Sequence, residues 1–250
     1  MYDNCVKIIY GSDNMMYIFY ILIILIFTSA IKCFVDCEKV TDFFFRRSKC
    51  DKCEKQLNFI DLVPVISFIL FRGRCRYCHK KISLDIFFYE IGSLLFTLLF
   101  FIFQENFVFL SIFDLFIVII IYFLAIEDVK TYEVNDRLLC IFFILCMIKG
   151  FVFEFNFVSL FFMGMVSHIL YFLARGGLGY GDIKVFCLLF LMLNTYESFY
   201  LLIYTFLYAG MVAIILLLTK KVTRKTKLAL LPYIVLGYIT VLIVREVILW

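Results

Sequence analysis

Two aspartates stand at the ends of apolar runs, a setting where an ionisable side chain is costly and is usually kept for function. Asp128 follows one run in Ala125-Ile-Glu-Asp-Val-Lys130, and Asp182 closes the glycine-rich turn Gly176-Gly-Leu-Gly-Tyr-Gly-Asp182 ahead of another. Two carboxyl groups brought together in a partly dehydrated place resist double ionisation, so one keeps a proton while the other is a base. Such a pair can cut an amide. The ionised member takes a proton from water, and the protonated member hydrogen-bonds the carbonyl oxygen under attack. Glycines at 176, 177, 179 and 181 let a peptide backbone approach Asp182 closely. A plainer reading stands beside this one, in which Asp182 only caps the helix that follows a glycine hinge. Glu127 would point about 100° away from Asp128 on a helix and reads as a flank. Glu90, near the start of another apolar run, is a candidate to support the aspartates or to bind substrate, or else a satisfied interhelical glutamate.

A second chemistry is written in the cysteines. Cys50-Asp-Lys-Cys53 and Cys75-Arg-Tyr-Cys78 are two C-x2-C pairs, together offering the four sulfurs that tetrahedral zinc prefers. The stretch between them runs just past the usual window of roughly 15–20 residues. Structural zinc is the expected ligand, and a redox dithiol is the alternative. Of the other six cysteines none has a C-x-x-C partner, and all read as small hydrophobes. His79 adjoins Cys78 and could stand in for a sulfur, whereas His168 lies inside an apolar run and reads as packed and hydrogen-bonded. These are the only histidines, which argues against a histidine-based metalloprotease. No Ser-Lys or Ser-His constellation is evident.

The elements that must position these residues are membrane helices. The chain is 65% hydrophobic, with 33 phenylalanines, against roughly 45–50% apolar residues in soluble domains. Its mean hydropathy is +1.03. Eight apolar runs, 15–34, 86–103, 107–126, 138–153, 157–174, 183–194, 198–219 and 228–244, approach the ~20 residues needed to cross a bilayer. The run 183–194 is the shortest. The first run is too long for a cleavable signal peptide and has no small-residue cleavage pattern after it.

Lysine and arginine accumulate in cytoplasmic loops. Placing 36–85 inside puts 128–137, 175–184 and 220–227 inside too and, with Lys32 counted in the first loop, leaves only Lys7, Lys149 and Arg245 of the 24 basic residues elsewhere. Both termini are therefore expected outside, with Asp128 and Asp182 at the same cytoplasmic depth. The cytosol disfavours disulfides, which strengthens the metal reading of the tetrad. The basic patch 220–227 is expected to touch anionic lipid. No nucleic-acid motif is present.

The expected fold is thus an all-α polytopic membrane protein of about eight transmembrane helices with a small cysteine-rich cytoplasmic lobe. Its expected parts are an external N-terminus and first transmembrane helix (1–35), a tetracysteine lobe (36–85) and a transmembrane peptidase domain (86–250). The apolar stretch 59–70 inside the lobe is too short to cross and is expected to lie against the membrane surface.

Gly179-Tyr-Gly-Asp182 resembles the GxGD signature of intramembrane aspartic peptidases. The larger set is similar to bacterial prepilin peptidase, the type IV leader peptidase. That set comprises Ser48 to Cys53, Asp61-Leu-Val-Pro-Val-Ile-Ser67, Arg72-Gly-Arg-Cys-Arg-Tyr-Cys78, Ile82-Ser83 through Tyr89-Glu90, Asp128 to Asp136, and Gly177 to Lys184. The cysteine block is its most specific part, since other GxGD peptidases lack the lobe. The resemblance implies that Asp128 and Asp182 are the catalytic pair. It also implies that basic leaders are cut from prepilins and pseudopilins on the cytoplasmic side of a bacterial inner membrane. Many such enzymes methylate the new N-terminal amine with S-adenosylmethionine. Two departures are visible: Asn135 stands where members usually have proline, and Thr28-Ser-Ala-Ile-Lys32 lacks the glycine and asparagine common at the end of the first run. Rival classes are an ion-coupled transporter and a non-catalytic scaffold for pilus or secretion machinery, each with a metal-binding lobe. Against the transporter, the halves show no matched pair of interrupted helices.

Overall fold

A polypeptide in hydrocarbon must satisfy its amides within its own backbone, and each of the eight apolar runs is largely one helix where it is described. The computed structural model describes residues 2–37, 43, 48–50, 52–106, 112–174, 177–219 and 228–248. The basic patch 220–227, Gly176, Phe44 and Phe45 lie outside the described residues. The described residues form helices and loops with no named strand. Among the described residues, three stretches, Phe19–Asp36, Leu84–Ile102 and Thr195–Leu218, are long and apolar enough to cross a membrane, and Phe157–Leu173 and Leu231–Arg245 are shorter apolar helices. The chain's contacts fall into two compact units, Met1–Phe103 and Gln104–Trp250.

In the first unit, α1 (Tyr2–Asp36) is followed by a 3-10 turn (Phe59–Leu62), α2 (Ile66–Leu70) and α3 (Leu84–Asn106). Tyr20 meets Phe101 at 6.1 Å between ring centres, and the Lys32 ammonium sits 4.7 Å from the Tyr89 ring centre, so α1 and α3 run antiparallel. Buried hydroxyls on this seam turn back to their own helices: Thr28 donates to the Ile24 carbonyl, and Thr97 to that of Ser93. Ile60, Ile66, Ile69 and Leu70 of the 59–70 stretch are exposed.

The second unit is built on α4 (Ile112–Thr131), with α5 (Asp136–Phe153), α6 (Phe157–Leu173), α7 (Tyr180–Met192), α8 (Thr195–Leu218) and α9 (Leu231–Ile248). Helix α4 is buried on every side through Ile117, Val118, Ile119, Ile120 and Ile121. It packs against α5 and α9, α6 packs against α7 and α8, and α8 packs against α9. Association within lipid relies on close packing and interhelical hydrogen bonds. Ser159 and Ser198 bond at 2.6 Å between α6 and α8, and Tyr208 and Thr240 at 2.9 Å between α8 and α9. At Gly237 the α8 and α9 backbones come so near that a Cβ would lie 2.8 Å from the Thr205 hydroxyl. Helix α7, only 13 residues long, is too short to span ~30 Å of hydrocarbon.

Candidate functional site

Asp128 lies one turn from the end of α4 and is 6% exposed. Its Oδ2 accepts the backbone N–H of Leu231 at 3.2 Å, and the Leu230 amide bonds the same carboxyl. Both donors belong to the start of α9. Leu230 caps that helix, its carbonyl accepting from Tyr233 and Ile234, but it has no side-chain oxygen to satisfy the free amides of the first turn. Pro232 removes one of those amides, and the carboxylate of α4 takes up Leu230 and Leu231. An anion at a helix N-terminus is favoured by the amides and by the helix dipole together.

Asp182 is the third residue of α7, 7% exposed, and its Oδ2 accepts the N–H of Gly179 at 3.2 Å. The capping role is therefore present, and it occupies one oxygen. Gly181 is required for space, and Gly179 is tightly placed. A Cβ on Gly179 would stand 3.0 Å from the Asp182 carboxylate oxygen, and a Cβ on Gly181 would overlap the side chain of Val134. Val134 belongs to the short loop between α4 and α5. That loop starts at Tyr132, whose amide bonds the Asp128 carbonyl and whose φ is +55°, and ends at Asn135. Asn135 caps α5, its side-chain oxygen accepting from Arg137 at 3.0 Å and Leu138 at 3.4 Å. The turn after Asp128 thus rests on the turn before Asp182, and the Asp128 charge acts on the Asp182 carboxyl.

The other polar residues singled out in the sequence have partners of their own. Glu127 lies 3.8 Å from Lys130 of its own helix. His168 bonds the Gly164 carbonyl at 2.8 Å and stands beside the Tyr180 ring, as a packed histidine would. Glu90, 7% exposed on α3, accepts the N–H of Val65 at 2.6 Å. Val65 has φ +61°, an unusual conformation for a β-branched residue. Glu90 is therefore engaged inside the first unit, pinning the strained start of α2. Sequence reasoning missed the Leu230 and Leu231 amides and Val134; backbone donors carry no side-chain signature, and Pro232 was the one available signal.

The four cysteines come together. The sulfurs of Cys50, Cys53, Cys75 and Cys78 lie within 4.8 Å of one another, with Cys50 and Cys78 at 4.0 Å. Four sulfurs about 2.3 Å from a tetrahedral zinc would be spaced by about 3.8 Å, so the donor set and its spacing fit that ion. Each pair sits in the same small knuckle. Cys50 donates to the Lys55 carbonyl while Glu54 returns to Cys50, and Cys75 donates to Lys80 while His79 returns to Cys75. The flanking bridges Lys49 to Gln56 and Arg74 to Lys81 repeat likewise. Glu54 and His79 hold matching left-handed positions, φ +56° and +55°. His79 thus shapes the turn and stands outside the sulfur cluster. Burial pushes the Cys50 thiol up. Hydrogen bonds from the Lys52 and Cys53 backbone and from the Cys75 and Cys53 thiols outweigh it, lowering Cys50 to about 7. The Lys55 amide favours the Cys53 thiolate, yet desolvation and the Cys50 and Cys78 sulfurs raise Cys53 to about 11. A cation bound by these sulfurs would take them as thiolates, so its binding releases protons.

Residues 18–104 match the Bacterial Peptidase A24 N-terminal domain, and residues 115–218 match the Type IV leader peptidase family. No curated protein and no solved structure matches.

Proposed function

Since the chain belongs to the type IV leader peptidase family, we propose that it cleaves the leader of prepilin-like proteins with Asp128 and Asp182 as an aspartic pair. The observation that carries this reading is that two buried carboxyl groups, at the ends of different helices, are held by separate backbone donors, with the turn after Asp128 packed through Val134 onto Gly181 beside Asp182. Amide donors favour the ionised form of a carboxyl. Asp128 has two and Asp182 one, which assigns the base to Asp128 and the acid to Asp182.

Asp128 takes a proton from a water whose oxygen attacks the scissile carbonyl carbon, and Asp182 gives its proton to the carbonyl oxygen. In the resulting gem-diol stage Asp128 is protonated and Asp182 ionised. Collapse breaks the C–N bond: Asp128 protonates the leaving amine, Asp182 takes a proton from a gem-diol hydroxyl, and both start again. Gly179 keeps the Asp182 carboxylate oxygen free of a crowding side chain where the substrate backbone would approach, while Gly181 lets Val134 pack against the same turn.

The basic-residue distribution supports a cytoplasmic site and the bacterial N-terminal family a bacterial inner membrane, with lipid around the longer helices and α7 too short to cross by itself. The tetracysteine lobe would hold zinc through Cys50, Cys53, Cys75 and Cys78, a structural ion that closes the two knuckles on each other. Among the described residues nothing identifies a seat for S-adenosylmethionine, and peptide cleavage does not use it.

The test is co-expression with a prepilin, following the leader on a gel for the native chain, Asp128→Asn and Asp182→Asn. Native cleavage with both substituted chains inactive is expected. Cleavage by either substituted chain would remove the mechanism, and an inactive native chain would favour a transporter or a scaffold. Mass analysis of the product reads methylation in the same experiment.

A further inference from the structure

A second buried aspartate sits at the other end of α4. Asp114 is 2% exposed, and three groups converge on its carboxylate. Lys149 Nζ from α5 lies 2.5 Å from Oδ1, the Tyr238 hydroxyl from α9 donates to Oδ1 at 3.1 Å, and Arg245 Nη2 from α9 lies 3.9 Å from Oδ2. Lys149 and Tyr238 are themselves buried. Two of the three basic residues that the charge rule left on the far side of the membrane thus share one counter-charge. Ions this deep are poor sources of stability, because desolvation offsets their attraction; in membrane segments they more often serve function.

The spacing says what this cluster does. Asp114 and Asp128 are two heptads apart, close to four full turns at about 3.6 residues each, so both carboxylates leave the same face of α4. On α9, Leu231, Tyr238 and Arg245 repeat at one heptad and also share a face. The two helices pack antiparallel, with Asp128 on the first amides of α9 and Asp114 on its last turns. A slide of α9 along α4 would break both contacts at once.

We infer that Asp114 is a positioning residue: with Lys149, Tyr238 and Arg245 it fixes the axial register of α9 on α4 and so keeps the Leu230 and Leu231 amides on Asp128. This rests on the reading of Asp128 as a catalytic residue.

The experiment uses the purified full-length protein in lipid vesicles and a synthetic prepilin peptide, comparing native chain, Asp114→Asn, Tyr238→Phe and Asp128→Asn. For Asp114→Asn, kcat should fall by about tenfold to a hundredfold while KM changes little. The acid limb of its pH–rate profile should move to higher pH, because a carboxylate that loses amide donors ionises less readily. Tyr238→Phe, which removes one bond and keeps the ions, should shift kcat and the profile in the same direction by less, and it carries the test alone if Asp114→Asn does not fold. A native kcat and pH profile per folded molecule in these variants, even with a lowered melting temperature, would overturn the inference. Full activity of Asp128→Asn would instead overturn the reading on which it rests.

Discussion

A methyl group at Gly181 would have to enter space filled by the Val134 side chain, and the loop that would yield is the one that follows Asp128. Gly181→Ala should therefore lower cleavage by about a hundredfold, the scale of an ångström's misplacement of a catalytic group. Val134→Ala in the same chain should recover part of the loss. Equal activity of the single and double variants would show that the clash is relieved elsewhere. Glu90 invites a different substitution. Glu90→Leu leaves the Val65 amide without its acceptor and should cost about 1–3 kcal/mol, read as faster protease cutting near residues 63–71 with the helices of the second unit unaffected. The aspartates and cysteines were legible in the sequence because carboxylates beside apolar runs and paired C-x2-C sulfurs stand out by residue type and spacing. Val134 was not, because its importance lies in a volume shared with a glycine distant in the chain.

At the scale of elements, Asn135 shows how a departure from the family pattern can be absorbed. Its side chain caps α5 through Arg137 and Leu138, so Asn135→Ala should destabilise the protein by about 1 kcal/mol, measurable as a lower melting temperature. The knuckles predict the opposite sign. Glu54 and His79 occupy left-handed turn positions, and Glu54→Gly or His79→Gly should raise the temperature at which the lobe releases its ion. A drop on either substitution would mean that these side chains do more than turn the chain. The helices themselves were readable from apolar runs, because a segment in lipid has few alternatives to a helix. Their partners were not. That α9 begins beneath Asp128, or that α4 is enclosed by its neighbours, depends on contacts between segments with nearly the same composition.

For the whole molecule, two kinds of polar centre divide along the two units. Chelation of the metal should open residues 49–81 to protease and leave the helicity of the second unit largely intact. Acidification should release the ion as well, because thiolates must be deprotonated to bind it. Cleavage should show a bell-shaped pH dependence: low pH protonates the base, high pH ionises the acid, and the limbs report the pair rather than either residue. A rate that only rises across that range would remove the shared-proton mechanism. The sequence located both centres and the charge asymmetry. It did not reveal that Lys149 and Arg245, exceptions to that asymmetry, meet on Asp114.

The repetition of the knuckle bears on the order of events during synthesis. Each is closed by hydrogen bonds between residues only a few positions apart, from Ser48 to Leu57 and from Gly73 to Ile82. Contacts so local form early, and the N-terminal one leaves the ribosome first. The first pair of sulfurs can take an ion while the second is still being translated. The nascent chain then carries a half-filled site that the next knuckle completes, so that metal supply during translation, rather than after it, would set the yield of mature protein.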